Sequence, residues 1–380
     1  MGIEVLIFSY GVVCISMIAF NCVCIVLFKN SERRLHRKSS SLNQKVAVQM
    51  KRIKEGNLVE QKHCSYLSRK LSRVGNLMAF DETITQWLQT DPQTAQKYLY
   101  ELRAVFLHLS VVYLKKETMQ SAYYAYILSK YKISRYCSFD SIMDILIQYL
   151  KKESLYCRQN AMRALYSFGN EQNVVDAIKV LDRENVFFHS KILSDGLLQF
   201  EGDHDKLIRL FWQSLDSFAV ETQVSILNYI RFKSGDWCEQ MFEILTDANL
   251  SCELHFSAIR YFGRYPYQPA YRILLEHTAS PDPLRWNYAA VSASALAAYP
   301  GEQTVHTLKK ALKSENWYAR YNAAQSLEAL GLHYDDLLDI INGNDRYARE
   351  MILYHFSRRQ LSEEQKRREA AYDGRIQNVF

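Results

Sequence analysis

The chain begins with an uninterrupted apolar segment. Residues 5–28, VLIFSYGVVCISMIAFNCVCIVLF, contain no charged side chain, and Asn21 is their one strongly polar member. A helix rises about 1.5 Å per residue, so roughly 20 apolar residues cross the hydrocarbon core of a bilayer. The segment is long enough for this. The pattern therefore predicts a single transmembrane helix that contacts the lipid bilayer through residues 5–28.

The charges beside this segment predict its orientation. Only residues 1–4 precede it, with no Lys or Arg, whereas residues 29–54 carry nine basic side chains and one acid, Glu32. Cytoplasmic flanks of membrane helices are rich in Lys and Arg. We therefore expect a single-pass protein of the cell membrane, with its amino terminus outside and the bulk of the chain cytoplasmic. The residues expected to contact the membrane surface are Lys29, Arg33, Arg34, Arg37 and Lys38.

A cleaved signal peptide would reverse this orientation, but it carries its basic residues before the apolar run rather than after it. The chain has a net charge of +6, and residues 29–54 contribute +8, which leaves −2 for the remainder. Basic residues next to a membrane attract anionic lipid, so we expect residues 29–54 to bind it. Proteins that grip duplex nucleic acid usually present a strongly basic face, and the near-neutral remainder argues against nucleic acid as a partner.

From about Leu42 onward the hydrophobic pattern is helical almost throughout, with no alternating strand pairs. Asp91-Pro92 is typical of a helix start, because Asp caps a helix and Pro suits its first turn. The pattern predicts an all-α protein in five segments. These are a transmembrane anchor (1–28), a basic juxtamembrane segment and helical linker (29–80), Tyr-rich helices (81–139), a repeat region (140–357) and a charged tail (358–380).

The repeat region shows a regular frame. Glycines follow apolar helices at Gly169, Gly202, Gly235, Gly263, Gly301 and Gly331. Within the units, a starting residue is followed by a small or apolar residue three positions on and a large apolar residue seven positions on. Arg320, Ala323 and Leu327 are one example. This spacing places side chains on one helical face, and two-helix repeats of roughly 30 to 47 residues are typical of an α-solenoid.

Four segments resemble repeats of the HEAT superfamily of armadillo-like α-solenoids: CRQNAMRALYSFG (157–169), LRWNYAAVSASALAAYPG (284–301), WYARYNAAQSLEALG (317–331) and RYAREMIL (346–353). The resemblance covers about residues 140–357, with residues 81–139 as degenerate repeats. It implies a HEAT-like α-solenoid preceded by one transmembrane helix, as in membrane-anchored HEAT-repeat proteins of a bacterial type. In that family an arginine of the second helix has a structural role near the junction between repeats. Arg158, Arg285, Arg320 and Arg349 match this position, whereas Lys191 and Cys252 depart from it.

The sequence contains no recognisable catalytic constellation. It lacks H-E-x-x-H, G-x-S-x-G and a phosphate-binding loop, and its cysteines outside the apolar segment never form C-x-x-C. The tripeptide Asp203-His204-Asp205 offers two carboxylates and an imidazole, but it lies between helices, where Asp favours the N-cap. We interpret it as a helix cap, and we expect no catalytic, cofactor-binding or metal-binding residue.

Aromatic and basic residues indicate a binding surface. The chain has 26 tyrosines, and Tyr, Trp and Arg dominate binding hot spots. We expect most aromatic side chains to fill the core. The remainder, with basic residues on second helices or at their ends, are expected to line the inner surface that solenoids use for partners. The candidate partner-binding residues are Arg163, Arg231, Lys233, Arg260, Arg264, Arg320 and Tyr321.

Three function classes fit these features. The first is a membrane-tethered cytosolic scaffold or adaptor that binds a protein in a membrane-associated complex, such as a polysaccharide-synthesis or secretion assembly. It accounts for the anchor, the repeats and the missing catalytic motifs together. The second is a nucleic-acid-binding protein that resembles the HEAT-like alkylpurine DNA glycosylases; the tether and the near-neutral domain disfavour it. The third is a lyase-like HEAT protein that acts on bilins, for which the sequence offers no constellation.

Overall fold

The computed structural model describes residues 2–133, 139–184, 189–355 and 357–358, and every regular element in these ranges is helical. The predicted all-α class is confirmed for these ranges. The chain divides into two compact units. Unit 1 comprises Met1–Phe187 and Gln199–Leu207, and unit 2 comprises Phe188–Leu198 and Ile208–Phe380. Except for Arg358, the tail predicted over 358–380 lies outside the described residues.

A single continuous helix, α1 (Gly2–Lys54), joins the apolar segment to the rest of unit 1. The large apolar side chains between Phe8 and Phe28 are exposed, and the most apolar stretch of the helix has a mean hydropathy of 2.6 with none of it buried. The helix is therefore long and apolar enough to cross a membrane. Farther along, α1 buries Leu42, Val46 and Met50 at intervals of four residues. Those positions share one helical face, which packs into unit 1.

The remaining helices of unit 1 are α2 (Gln61–Lys70), α3 (Val74–Thr90), α4 (Pro92–Glu101), α5 (Arg103–Leu114), α6 (Thr118–Lys130), α7 (Phe139–Leu150), α8 (Leu155–Phe168) and α9 (Glu171–Arg183). Helix α1 packs on α3 and α4, α5 packs on α7, and α6 packs on α8. Residues 29–80 thus belong to the same compact unit as residues 81–139.

Several tyrosines are buried in unit 1, and the hydroxyl groups of Tyr113 and Tyr149 donate to backbone carbonyl groups. Tyr113 donates to the Leu71 carbonyl at 2.7 Å, and Tyr149 donates to the Ser110 carbonyl at 2.8 Å; both side chains are fully buried. A buried hydroxyl without a partner is costly, so these bonds allow tyrosine to serve as a core residue. Core packing therefore accounts for Tyr113 of the Tyr-rich segment and for Tyr149, which follows that segment.

Unit 2 contains α10 (Ser190–Leu197), most of α11 (His204–Gln213), α12 (Val220–Lys233), α13 (Cys238–Thr246), α14 (Cys252–Phe262), α15 (Gln268–Ala279), α16 (Trp286–Ala295), α17 (Glu302–Ala311), α18 (Trp317–Ala329), α19 (Leu338–Ile341) and a helix over 346–355. Helices α10, α12, α14, α16 and α18 pack in succession. Each of α14, α16 and α18 also packs on the helix before it in sequence. This order of helix pairs is compatible with a solenoid.

Positions of the predicted repeat frame are buried on the face of α18 that packs against α16. Ala323 and Leu327 of α18 are fully buried. Beside them, Asn322 donates its side-chain amide to the Ala290 carbonyl of α16 at 2.8 Å. In unit 1, Asn160 of α8 makes the equivalent bond to the Ala122 carbonyl of α6 at 3.0 Å. The asparagine of the R-x-N-A pattern shared by these two segments thus ties α18 to α16 and α8 to α6.

Candidate functional site: an arginine pocket on unit 2

Unit 2 contains a pocket of about 520 Å³ that is lined by basic and apolar side chains. We call it the arginine pocket. Its lining residues are Arg231, Phe232, Arg260, Gly263, Arg264, Val291, Ser294, Ala295 and Asn322. Three of the residues predicted from the sequence to bind a partner, Arg231, Arg260 and Arg264, therefore meet at one place.

The order of the helices explains why these residues meet. Arg231 lies in the last turn of α12, and Arg260 lies in the last turn of α14. Because α12, α14 and α16 pack in succession, their carboxyl-terminal ends come together. Gly263 lies at this junction, where an added Cβ would be only 3.1 Å from the Cα of Ala295. Cations are also favoured at this end of a helix, where the helix dipole is negative.

An aromatic ring holds two of the guanidinium groups. The guanidinium carbon of Arg231 lies 4.6 Å from the centroid of the Phe232 ring, and that of Arg264 lies 5.4 Å from the same centroid. Each such cation–π contact contributes about 0.5–1 kcal/mol at an exposed site. Phe232 therefore helps two like charges to remain close to each other.

The surroundings of Arg231 and Arg260 disfavour the positive charges of their guanidinium groups. Burial lowers the pKa of Arg231, and the positive charges of Arg260 and Arg264 lower that pKa further. Burial also lowers the pKa of Arg260, although Glu253 acts in the opposite direction. Arginine nevertheless stays protonated at ordinary pH. The lowered pKa values therefore indicate positive charge that an anion would stabilise.

Hydrogen-bonding capacity remains in the pocket. The Nε of Arg231 is buried and has no hydrogen-bond partner among the described residues, and no Asp or Glu belongs to the described lining. A guanidinium presents its donors in a planar fork that matches a carboxylate or a phosphate group. The exposed guanidinium groups of Arg260 and Arg264 can thus bind an oxyanion.

The other predicted residues lie elsewhere. Arg163 is exposed on α8 of unit 1, and Lys233 is exposed at the end of α12 but does not line the pocket. Arg320 donates to the Ser314 carbonyl at 2.9 Å, and its guanidinium carbon lies 5.1 Å from the centroid of the Tyr347 ring. These contacts tie Arg320 to the segment preceding α18 through Ser314 and to the helix over 346–355 through Tyr347.

Tyr321 belongs to an aromatic cluster near the end of unit 2. Its ring centroid lies 4.9 Å from that of Trp317 in a stacked arrangement and 4.8 Å from that of His355. Its hydroxyl accepts a hydrogen bond from Arg358 at 2.9 Å. Trp317 is half exposed. Tyr321 is therefore held by its neighbours and is separate from the lining of the arginine pocket.

The residues predicted to contact the membrane surface, Lys29, Arg33, Arg34, Arg37 and Lys38, are all exposed on α1. The tripeptide at 203–205 caps a helix, as the sequence predicted. The side chain of Asp203 accepts a bond from the Lys206 amide at 3.0 Å, at the start of α11. Across the described ranges, no cluster of His, Cys, Asp and Glu could hold a metal ion.

Sequence reasoning missed Phe232, although the signal was present. An aromatic residue between two basic residues, R-F-K at 231–233, stands at the end of an amphipathic helix, where an exposed ring can cover a guanidinium. No protein-family model and no curated protein matches the chain. The HEAT resemblance therefore rests on the repeat pattern of the chain itself.

Proposed function

We propose that the chain is a membrane-tethered adaptor that binds an acidic segment of a partner protein in the arginine pocket. In this proposal α1 crosses the cell membrane with its amino terminus outside, and both units work in the cytoplasm within a membrane-associated complex. The observation that carries the proposal is the meeting of Arg231, Arg260 and Arg264 in a pocket without a lining carboxylate.

The mixed lining favours a protein segment. Beside the three arginines, the pocket presents apolar atoms of Phe232, Val291 and Ala295. An acidic peptide can place a carboxylate on the guanidinium groups and an apolar side chain on these atoms. The remainder of the chain has a charge of −2 outside residues 29–54, which gives little long-range attraction for a nucleic-acid backbone. Acidic protein is therefore the better match.

The scaffold supports the same reading. Second helices α12, α14, α16 and α18 pack in succession and supply the lining of the pocket. In a HEAT-like solenoid, which we propose for this region, such helices form the inner surface that binds partners. The absence of catalytic motifs from the sequence also fits a binding role.

The proposed topology can be tested with a native thiol. Cys252 is exposed on unit 2, whereas Cys157 on unit 1 is buried and serves as a control for folded protein. A membrane-impermeant maleimide added to intact cells should leave Cys252 unmodified, and permeabilisation should expose it to modification, as read by peptide mapping. Modification of Cys252 in intact cells would place unit 2 outside and overturn the topology.

The binding proposal can be tested by photocrosslinking in cells. Ser294 of the pocket is replaced by p-benzoylphenylalanine in the full-length chain, and the crosslinked peptide of the partner is identified. We expect an acidic peptide, and we expect Arg231→Gln with Arg260→Gln to reduce the crosslink about tenfold or more, because charge-assisted bonds contribute about 1.5–3 kcal/mol each.

The matched control is Arg163→Gln with Lys233→Gln, which removes the same charge from exposed positions outside the lining. Circular dichroism establishes that both double variants are folded. Crosslinks that survive loss of the pocket arginines would contradict the proposal. Crosslinks to nucleic acid, or to a partner peptide without acidic residues, would also contradict it.

A further inference from the structure

A second basic pocket lies on unit 1, where α1 meets the turn between α2 and α3. Its two adjoining cavities, of about 690 and 200 Å³, share Tyr66, Lys70 and Asn76 among their lining residues. The cations that line them include Arg37 and Lys38 of α1, and Arg69, Lys70 and Arg73 at the turn. No Asp or Glu occurs in the described lining of either cavity. We call this site the α1–α2 pocket.

The contacts between α2 and α1 give the direction in which α2 runs. The Glu60 amide, just before α2, donates to the Gln49 side chain at 3.0 Å. The Lys45 ammonium lies 3.8 Å from the centroid of the Tyr66 ring, and Lys70 shares a cavity with Lys38. Successive residues of α2 thus lie beside residues progressively nearer the amino terminus of α1. Helix α2 therefore runs back along α1 towards the apolar segment.

Helix α3 then leaves in the opposite direction. Thr83 lies 3.3 Å from Ser39, hydroxyl to hydroxyl, and farther along both helices the Trp87 ring nitrogen donates to the Asn43 side chain at 2.8 Å. The turn at residues 71–73 is therefore the point of α2 and α3 that comes nearest to the apolar segment. Asn76 fixes this turn by donating to the Lys70 carbonyl at 2.8 Å.

The position along α1 indicates the kind of ligand. Arg37 lies nine residues beyond Phe28, or about 14 Å along a helix that rises 1.5 Å per residue. The polar layer of a bilayer is about 5–8 Å thick on each side of the hydrocarbon core. Arg33 and Arg34 lie nearer to that layer. The α1–α2 pocket therefore opens just beyond the phosphodiester groups of ordinary lipids.

We propose that the α1–α2 pocket binds a phosphomonoester on a lipid headgroup that projects beyond the phosphodiester layer. Convergent Lys and Arg side chains fit a phosphate dianion, Arg by its fork and Lys by its point charge. The fixed turn presents three of these cations, and α1 presents two more. Such a contact would hold unit 1 close to the membrane in a defined orientation.

This inference rests on the membrane tether of the proposed function, but its test does not depend on topology. Full-length protein in neutral detergent is titrated with phosphatidylinositol 4-phosphate, with phosphatidylglycerol and with inorganic phosphate alone, and bound lipid is counted by native mass spectrometry. We expect the phosphomonoester lipid to bind about tenfold more tightly than phosphatidylglycerol, because only its second phosphate carries the dianionic charge.

The variant combines Arg69→Gln, Lys70→Gln and Arg73→Gln. The matched control combines Lys97→Gln, Lys115→Gln and Lys151→Gln, which removes the same charge from exposed positions of unit 1 outside residues 29–54. We expect the first variant to lose the preference for the phosphomonoester lipid and the second to keep it. Thermal unfolding of both variants establishes that each is folded.

Three outcomes would overturn the proposal. Equal loss of phosphomonoester lipid binding in both variants would mean that the lipid is held by diffuse electrostatic attraction and not by the α1–α2 pocket. Equal binding of phosphatidylglycerol would mean that no projecting phosphate is recognised. Binding of inorganic phosphate as tightly as the lipid would assign the pocket to a soluble phosphate compound. Photocrosslinking at position 294 in the triple variant of Arg69, Lys70 and Arg73 measures partner binding independently of lipid binding. Failure of the lipid proposal can therefore be distinguished from failure of the adaptor proposal.

Discussion

The arginine pocket of unit 2 and the α1–α2 pocket of unit 1 are both lined by exposed cations, but only the arginine pocket also has a half-buried one, Arg231. In the arginine pocket, burial lowers the pKa of Arg231 and Arg260, and the Phe232 ring lies against two guanidinium groups. In the α1–α2 pocket, the side chains of Arg37, Lys38 and the turn cations are exposed to water. Burial strengthens electrostatic interactions and restricts geometry. We therefore expect selective recognition by the first pocket and stronger dependence on ionic conditions in the second.

The largest effect should come from breaking the scaffold that presents the arginine pocket. Leu327 is fully buried on α18, the helix that supplies Asn322 to the lining. Leu327→Asp should lower the free energy of unfolding by more than about 4 kcal/mol, because it places an unpaired charge in the core. Circular dichroism and thermal unfolding measure the change.

Arg163→Glu is the control for this change, since Arg163 is exposed on unit 1. It should alter the free energy of unfolding by no more than about 0.5 kcal/mol. Similar losses of helicity and melting temperature for both variants would mean that the division between core and surface positions is wrong.

Acidification should lower the stability of the protein through two histidines whose pKa values are lowered in the folded state. Burial lowers the pKa of His63, beside the α1–α2 pocket, from 6.5 to about 4, and it lowers that of His277 in unit 2 similarly. The unfolded chain therefore binds protons between pH 6.5 and 4 that the folded chain does not. The contribution of these two histidines to the free energy of unfolding should be fully present above about pH 6.5 and should be lost as the pH falls towards 4.

The measurement is the melting temperature of the full-length protein in detergent at pH 7 and pH 5. In the native chain the His63 Nε2 lies 2.7 Å from the Tyr98 hydroxyl oxygen. The glutamine of His63→Gln can still bond to this hydroxyl, but its side chain does not titrate. This variant should lose less stability on acidification than the native chain. Acidic-peptide binding should change little, because the arginines stay protonated and most Glu side chains stay ionised at pH 5. Phosphomonoester lipid binding should weaken, because the second pKa of the phosphate is about 6 and the dianion is largely lost at pH 5. A pH-independent melting temperature would contradict the assignment of His63 as a buried neutral group.

Salt should distinguish the two pockets directly. Raising the ionic strength from about 0.01 to 0.15 M shortens the Debye length from about 30 to 8 Å and weakens interactions among exposed charges more than those among buried ones. Phosphomonoester lipid binding to the α1–α2 pocket should therefore weaken by a larger factor than acidic-peptide binding to the arginine pocket. Parallel titrations of the same preparation measure both. Equal salt dependence would remove the distinction drawn from burial.

Local patterns were enough to predict part of this structure. The uncharged run at 5–28 and the helical periodicity predicted the apolar helix and the all-α class, because both depend on residues close in sequence. The cap at Asp203 was predicted for the same reason. Arg231, Arg260 and Arg264 were among seven residues predicted to bind a partner; the structure brings these three together, and their binding role stays a prediction.

Other features depend on which helices become neighbours. The basic turn R-K-L-S-R at 69–73 looks like part of a polar linker in the sequence. Its relation to the apolar segment appears only when α2 reverses along α1. Arg320 was equally hard to interpret, since an arginine on a second helix can face a partner or bond to nearby carbonyl groups, as it does here. Periodicity identifies a helical face but does not identify what covers it.

The smallest effect should come from the ring that lies between the two guanidinium groups. Phe232→Leu keeps an apolar side chain but removes the π face that Arg231 and Arg264 approach. Acidic-peptide affinity should fall at least two- to fivefold, which corresponds to the loss of one of the two exposed cation–π contacts, each of about 0.5–1 kcal/mol. Fluorescence anisotropy of a labelled Glu-rich peptide measures this affinity.

Phe232→Trp is the informative companion variant, because Trp offers the strongest π face for a cation. It should retain or increase the affinity for the acidic peptide. Lipid binding at the α1–α2 pocket should be unchanged in both variants, since Phe232 is absent from the described lining of that pocket. If Leu and Trp at this position had the same effect on peptide affinity, the ring would contribute only bulk, and the two pockets would differ in burial alone.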